Sequence, residues 1–264
     1  MKTSMTILML LLALVVSAQV QWQSLDDGLT LGKYDSPVKS QIGNSQFTIL
    51  KVDPKQYELT ILCENQYVGE RSVKGWCEDF SKVAAINAGM YMEDGRNCGL
   101  QVTDGFTNGK LNSFNTILAF DCTNPDLPDV QIIDRQCQDF EYLRTQYRSM
   151  TQGIRMVDIY QNNCWTVQDK MWSTSAVAMD IAGNVLLIHC RSPYPVHTFV
   201  DILLDSGVGI YNMMYLEGGA VAELYVQVGD VAFSSIGSYE SGYNPNDNNR
   251  VLWTIPNVIA VGKR

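Results

Sequence analysis

Histidine and positive charge are both scarce in this 264-residue sequence. It has two His, and 19 Lys and Arg stand against 28 Asp and Glu, for a net charge of -9. That acidic balance excludes nucleic acid as a main partner, because neutralising a phosphate backbone takes a basic face. Charged residues make up 18% of the chain and hydrophobic ones 46%, which excludes a disordered tail protein. No GxSxG elbow, P-loop, dinucleotide fingerprint or HExxH segment occurs. The common serine-hydrolase, nucleotide and zinc-protease classes are thereby disfavoured. The cysteines (Cys63, Cys77, Cys98, Cys122, Cys137, Cys164 and Cys190) include no CxxC pair, so a structural zinc site is not expected. Their odd number leaves at least one thiol unpaired even where disulfides form. No run has calcium-loop spacing, and no metal or cofactor is expected, although clustered carboxylates leave room for a bound cation.

Long apolar runs are missing too, with one exception. Ile7 to Val16 is unbroken, Lys2 precedes it and Val16-Ser17-Ala18 follows. This is the layout of a secretory signal peptide over residues 1–18, and it falls short of the ~20 residues that span a bilayer. The expectation is a single domain over 19–264, secreted or periplasmic, with no membrane anchor. Loss of Lys2 would make it more acidic by one charge.

What the chain does contain is strand patterning. Gln46–Val52 and Tyr57–Cys63 read as a strand pair around Asp53-Pro54-Lys55. Trp76, Phe80 and Val83 fall at helical spacing, which predicts a short helix over Val73–Lys82. Further strands are expected at Val83–Ala88, Leu100–Val102, Thr116–Phe120 and Val130–Ile133, then a helix marked by Phe140, Leu143 and Tyr147. Ser175–Met179 and Val185–His189 flank a turn suited to a hairpin. Ser192 with Pro193 and Pro195 opens a helix whose Val196, Phe199, Val200, Leu203 and Leu204 share one face. Strands follow at Tyr211–Leu216 and Leu224–Val228. The fold class is α+β, a mostly antiparallel, curved mixed sheet with a few packed helices.

Three segments join a strand end, glycine and a polar side chain. In Asn87-Ala88-Gly89-Met90-Tyr91 the Asn amide can meet a ligand where glycine lets the backbone approach, and the bland reading is a turn. In Tyr215-Leu216-Glu217-Gly218-Gly219 a carboxylate ends a buried strand, the place for an acid, base or nucleophile. In Met150-Thr151-Gln152-Gly153 the Gln can hydrogen-bond a sugar or phosphate, or simply edge a strand. His197, off the apolar stripe of its helix, can face a site, whereas His189 ends an apolar strand and reads as structural.

Together these segments resemble the phosphodiester glycosidase family from about Ala84 to Val226. Asn87-Ala88-Gly89-Met90-Tyr91 is similar to the family's N-[AG]-G-[MYF]-[YF], and Gly99-Leu100 and Asp104-Gly105 match its Gly-Leu and DG turn. Thr151-Gln152-Gly153, Ser175 to Asp180 and Leu216-Glu217-Gly218-Gly219 follow in the family's order, with Thr174 where it carries Arg and Glu217 where it carries Asp. The resemblance implies a secreted glycosidase acting on a sugar linked through phosphate. Glu217 would be its nucleophile or general base, and Asp180 or Asp104 a second carboxylate. Asn87, Gln152 and Thr174 would lie against substrate, Tyr91 against the sugar ring, and Gly218 and Gly219 would offer backbone N–H groups. The partner is a carbohydrate or glycosyl phosphate. The rival is a non-catalytic carbohydrate-binding or envelope protein on the same scaffold, because Thr174 lacks the bidentate phosphate grip of Arg.

Overall fold

The computed structural model describes residues 19–264, so the expected signal peptide lies outside the described residues. In chain order the elements are β1 (Gln21–Asp26), β2 (Leu29–Asp35), β3 (Gln46–Val52), β4 (Tyr57–Cys63), α1 (Val73–Asp79) and β5 (Ala84–Asn87). Next come β6 (Gln101–Thr103), β7 (Phe106–Thr107), β8 (Thr116–Cys122), β9 (Val130–Asp134), α2 (Phe140–Leu143) and β10 (Tyr147–Val157). The chain continues with β11 (Met171–Asp180), β12 (Val185–Pro195), α3 (Val196–Leu204) and β13 (Ile210–Gly218). After a 3-10 turn at Gly219–Val221 come β14 (Glu223–Val228), β15 (Val231–Ile236) and β16 (Asn257–Lys263).

Eleven strands form one sheet, in the order β1-β2-β3-β12-β11-β13-β10-β6-β7, with β8 and β9 continuing from β10. The other five form a second sheet, β15-β14-β5-β16-β4. Every pairing is antiparallel among the described residues. The sheet is therefore not mixed, and the protein is richer in β-structure than α+β suggests, with only three helices among the described residues.

Alternation along the strands explains the layering. Val177, Met179, Met214 and Leu216 of the large sheet pack against Ile86, Leu224 and Ile259 of the small one. The opposite positions, Ala176, Ala178 and Met213, face Phe199, Val200 and Leu203 of α3, where the two alanines leave room for the helix. On the outer face of the small sheet, Ala85, Val258 and Ala260 meet Val73 and Trp76 of α1. The result is a two-sheet sandwich with a helix on each outer face. Its central strands are buried on both faces and read as continuous apolar runs.

Three sequence expectations need correction. Strands β3 and β4 do not pair: β3 joins β2 and β12, while β4 crosses to the other sheet beside β16. Both strands are largely buried, and facing each other across the core supplies more apolar contact than a two-stranded ribbon would. The helix near Phe140 stops after one turn, capped by the Asp139 carboxylate accepting from Tyr142 N at 3.1 Å, and Tyr147 opens β10 instead. Ser192 and Pro193 belong to β12, which runs to Pro195 before α3 starts.

Among the described residues no helix is long and apolar enough to cross a membrane.

Candidate active site

The end of β13 lies in the middle of the large sheet, between β10 and β11. Glu217 is opposite Ser175 there, and Gly218 is opposite Thr174. The chain then turns sharply at Gly219, whose φ of 74° is in the left-handed region that favours glycine. Glu217 as a residue is half-buried, but its carboxyl is enclosed and accepts a 2.9 Å hydrogen bond from Gly218 N. Burial pushes this carboxyl up to about 8; the Gly218 N–H pulls it down, and the negative charge of Glu240 raises it further.

Glu240 comes from the polar stretch after β15, held by bridge pairing with Trp172 and Asn244. Its Oε2 lies 2.8 Å from where a Cβ on Gly219 would stand. Glycine at 219 thus serves both the turn and the approach of the second carboxyl. Gly218 is hemmed in from the other side, since a Cβ there would overlap the Tyr215 hydroxyl and the Trp172 ring. The Tyr215 ring contacts Trp165 at 5.3 Å and Trp172 at 6.5 Å between centroids. Burial and then the charge of Glu217 hold the Tyr215 phenol well above its ordinary range.

Tyr91 stands on the other side of the site. Its phenol is pushed up to about 12, first by burial and then by the charges of Glu217 and Glu223. The Cys98 thiol is likewise raised by burial and by Glu217. Glu217 is thus surrounded by phenols, a thiol, indole rings and another carboxyl.

The residues expected from the sequence divide into three groups. Glu217, Gly218, Gly219, Thr174 and Tyr91 do come together. Gly218 N, however, is taken by Glu217 itself, and the Thr174 hydroxyl donates to Trp172 O at 3.3 Å and is buried. Asn87 and Gln152 have their amides engaged by the protein, Gln152 at all four positions and Asn87 at three. Asn87 Oδ1 accepts from Ser175 Oγ at 3.0 Å and Glu223 N at 2.8 Å, and its Nδ2 donates to Val221 O at 2.8 Å. Gln152 Oε1 accepts from Leu100 N and Asn112 N, while Nε2 donates to Asn112 O and Phe114 O. Both shape the loops around Glu217.

Asp104, Asp180 and His197 form the third group, away from Glu217. Asp104 is exposed in the tight turn between β6 and β7. Asp180 ends β11 five residues beyond Ser175, roughly 17 Å along the strand at about 3.3 Å per residue. His197 starts α3 and pairs with Asp201 at 3.1 Å. The other histidine, His189, is buried, and burial pushes it down to about 3. Its Nε2 donates to Ala222 O at 2.9 Å and its Nδ1 accepts from Ser235 Oγ at 2.5 Å, which ties the two sheets together.

Sequence reasoning missed Glu240, Trp165 and Trp172. Glu240 carries no local signal, because no periodic pattern marks its surroundings. The two Trp stood out only as aromatics in and beside a polar loop. Among the described residues, no three His, Cys, Asp or Glu side chains gather in a metal-binding group.

Fold and site define a two-sheet β protein with an enclosed carboxyl at the end of a central strand. The chain belongs to the phosphodiester glycosidase family, whose model matches residues 81–262. That span includes Glu217, Glu240 and both site tryptophans, and extends beyond the region where the sequence motifs stand. The fold is similar to that of the catalytic domain of zebrafish N-acetylglucosamine-1-phosphodiester alpha-N-acetylglucosaminidase auto-inhibited by its pro-peptide, at 16% identity and TM-score 0.57, covering 93% of this chain and 82% of that one. It is also similar to a hypothetical protein from Synechocystis, at 15% identity and TM-score 0.58, covering 94% and 64%. No curated protein sequence matches the chain.

Proposed function

We propose that the protein is a secreted hydrolase that releases a sugar from a phosphodiester-linked or related glycoconjugate, with Glu217 as its catalytic carboxyl. The observation that carries this reading is the Glu217 environment: an enclosed carboxyl raised to about 8 beside the negative charge of Glu240. An enclosed, protonated carboxyl beside a second acidic group is the equipment for cleaving a glycosidic bond. At neutral pH Glu217 is protonated and gives its proton to the leaving oxygen as the bond to the anomeric carbon breaks. Glu240 balances the positive charge that grows on the sugar, and water adds to the anomeric carbon as its proton passes back to the Glu217 carboxylate. On this reading Glu217 is a proton donor in the first step, one of the roles its strand-end position allows, rather than the nucleophile or general base that the family resemblance implies. Tyr91 flanks the ring, and no cofactor enters the scheme.

Thr174 favours a second reading. With a buried hydroxyl where the family carries Arg, this part of the site offers no cation to a phosphodiester. The negative charge of Glu240 also repels an anion. A glycan-binding protein without turnover fits that observation.

Glu217→Gln separates the two. An enzyme loses turnover and keeps ligand affinity, whereas a binding protein shows no turnover even as wild type. A wild-type protein that binds glycans but hydrolyses no member of a panel of sugar phosphodiesters and glycosides would overturn the enzyme reading.

A further inference from the structure

Beside Tyr215 is a cleft of about 380 Å³ that includes Trp165 and Trp172 in its walls, with Ile154, Arg155, Asn115 and Gln168 around them. Its volume is at the lower end of the roughly 300–1,000 Å³ found for small-molecule sites. It adjoins Glu217 through Trp172 and Tyr215, the two side chains that press on Gly218. Two half-buried indoles beside planar amide and guanidinium groups suit a sugar, which offers an apolar C–H face to an aromatic ring and hydroxyls to polar edges.

The charge of the cleft indicates which sugar. Arg155 is its cation, and Asp134 neutralises it at 2.7 Å, while Gln136 accepts a second hydrogen bond at 2.8 Å. The guanidinium is thereby held in place. A fixed, charge-compensated Arg suits a hydroxyl better than a phosphate. The wall carrying Trp165 is also braced. Trp165 N donates to Asn163 Oδ1 at 3.0 Å, and Asn163 Nδ2 donates to His197 O and Asp201 Oδ1 on α3. A braced aromatic wall loses little freedom when a ligand binds.

We propose that this cleft is a second subsite for a neutral sugar unit, so that the ligand is a glycan of at least two units. The inference rests on the reading of Glu217 as the reacting centre. It identifies Asn163, held by the His197 carbonyl and the Asp201 carboxylate, as a positioning residue for the Trp165 loop.

The test uses the Glu217→Gln protein, in which binding is read without turnover. Calorimetry and tryptophan fluorescence compare one-, two- and three-unit members of the neutral glucose, mannose, galactose and N-acetylglucosamine series. At least one series is expected to bind about tenfold more tightly as the disaccharide than as the monosaccharide. Trp165→Ala should erase that gain without changing monosaccharide affinity, and Trp165→Phe should restore part of it. Circular dichroism and thermal melting check that each variant is folded. No gain with length in any series, or a gain that survives Trp165→Ala in a folded variant, overturns the subsite. Failure of the Glu217 reading is seen separately, as turnover that survives Glu217→Gln.

Discussion

Asp180 and Glu217 sit on neighbouring strands of one sheet, at opposite ends, and differ in what surrounds the carboxyl. Asp180 accepts from Asn184 N and Asn184 Nδ2, both at 2.8 Å, and has Lys51 at 3.6 Å. Both of its oxygens are engaged, so the group is spent on closing the β11–β12 hairpin. Glu217 has a single N–H from its own neighbour and a negative charge in place of a cation. Both stand at strand ends, so the supply of partners separates the structural carboxyl from the one proposed as reactive. Glu223 falls between them: it is buried, Oε1 accepts from Trp253 N at 2.6 Å, and Oε2 has no partner. Burial pushes it up to about 8 as well.

Turnover tests the comparison most severely. Glu217→Gln should lower kcat by about 10²–10⁴-fold, the range for removing a general acid, with ligand affinity retained in calorimetry. In the wild type, kcat should fall about tenfold per pH unit above about 8, as the donor proton is lost. A rate that keeps rising through pH 9 would contradict the proton-donor assignment and favour a carboxylate acting in its ionised form.

Stability against pH is the next measure, and Glu223 isolates it from chemistry. Its folded-state pKa is raised above the unfolded value, so its contribution is fully present below about 4.5 and is lost as pH climbs to about 8. Within that window each pH unit costs about 1.4 kcal/mol per such group. Glu223→Gln keeps the acceptor for Trp253 N and removes the titration. Denaturant midpoints of the variant should decline less steeply between those pH values, and the slope that persists should combine the fall from Glu217 with the rise from His189, whose lowered pKa adds stability as pH climbs to about 6.5. An unchanged slope would mean that Glu223 is not buried in this way.

Gly219→Ala follows in size. A side chain at a φ of 74° costs about 1–3 kcal/mol of backbone strain, and this Cβ also meets Glu240 Oε2. Both stability and kcat should therefore fall. Gly183→Ala gives the contrast, because that residue also has a positive φ, 89°, but nothing lies within 4 Å of its Cβ position. It should lose stability while keeping kcat.

How much of this was legible in the sequence depends on how far away the partners are. The β11–β12 hairpin was readable because Asp180 and Asn184 close it locally, and α3 because its apolar face repeats every three to four residues. Glu217 stood out as a carboxylate between an apolar strand and two glycines. Asn87 was placed in the right neighbourhood with the wrong task, since its partners Ser175, Val221 and Glu223 lie 88 to 136 residues along the chain. Glu240 owes its place to pairing with Trp172, a long-range contact with no local pattern. Strand β16, in the interior of the small sheet, passed unread because it is buried on both faces and shows no alternation.

Asp180→Asn should have the smallest effect and serves as the control for the whole comparison. The substitution keeps one acceptor oxygen but loses the second, and with it the attraction to Lys51 at 3.6 Å. Lys51 is 30% exposed, so solvent weakens that attraction, and the main loss is one charge-assisted hydrogen bond to Asn184. A cost of about 1–2 kcal/mol is expected, seen as a lower midpoint in chemical denaturation. Turnover should stay at the wild-type level, because the hairpin end lies a strand's length from Glu217. A kcat loss comparable with that of Glu217→Gln, in a protein whose midpoint had moved little, would break the distinction between the two carboxyls. It would also restore Asp180 as the second acid of the site in place of Glu240.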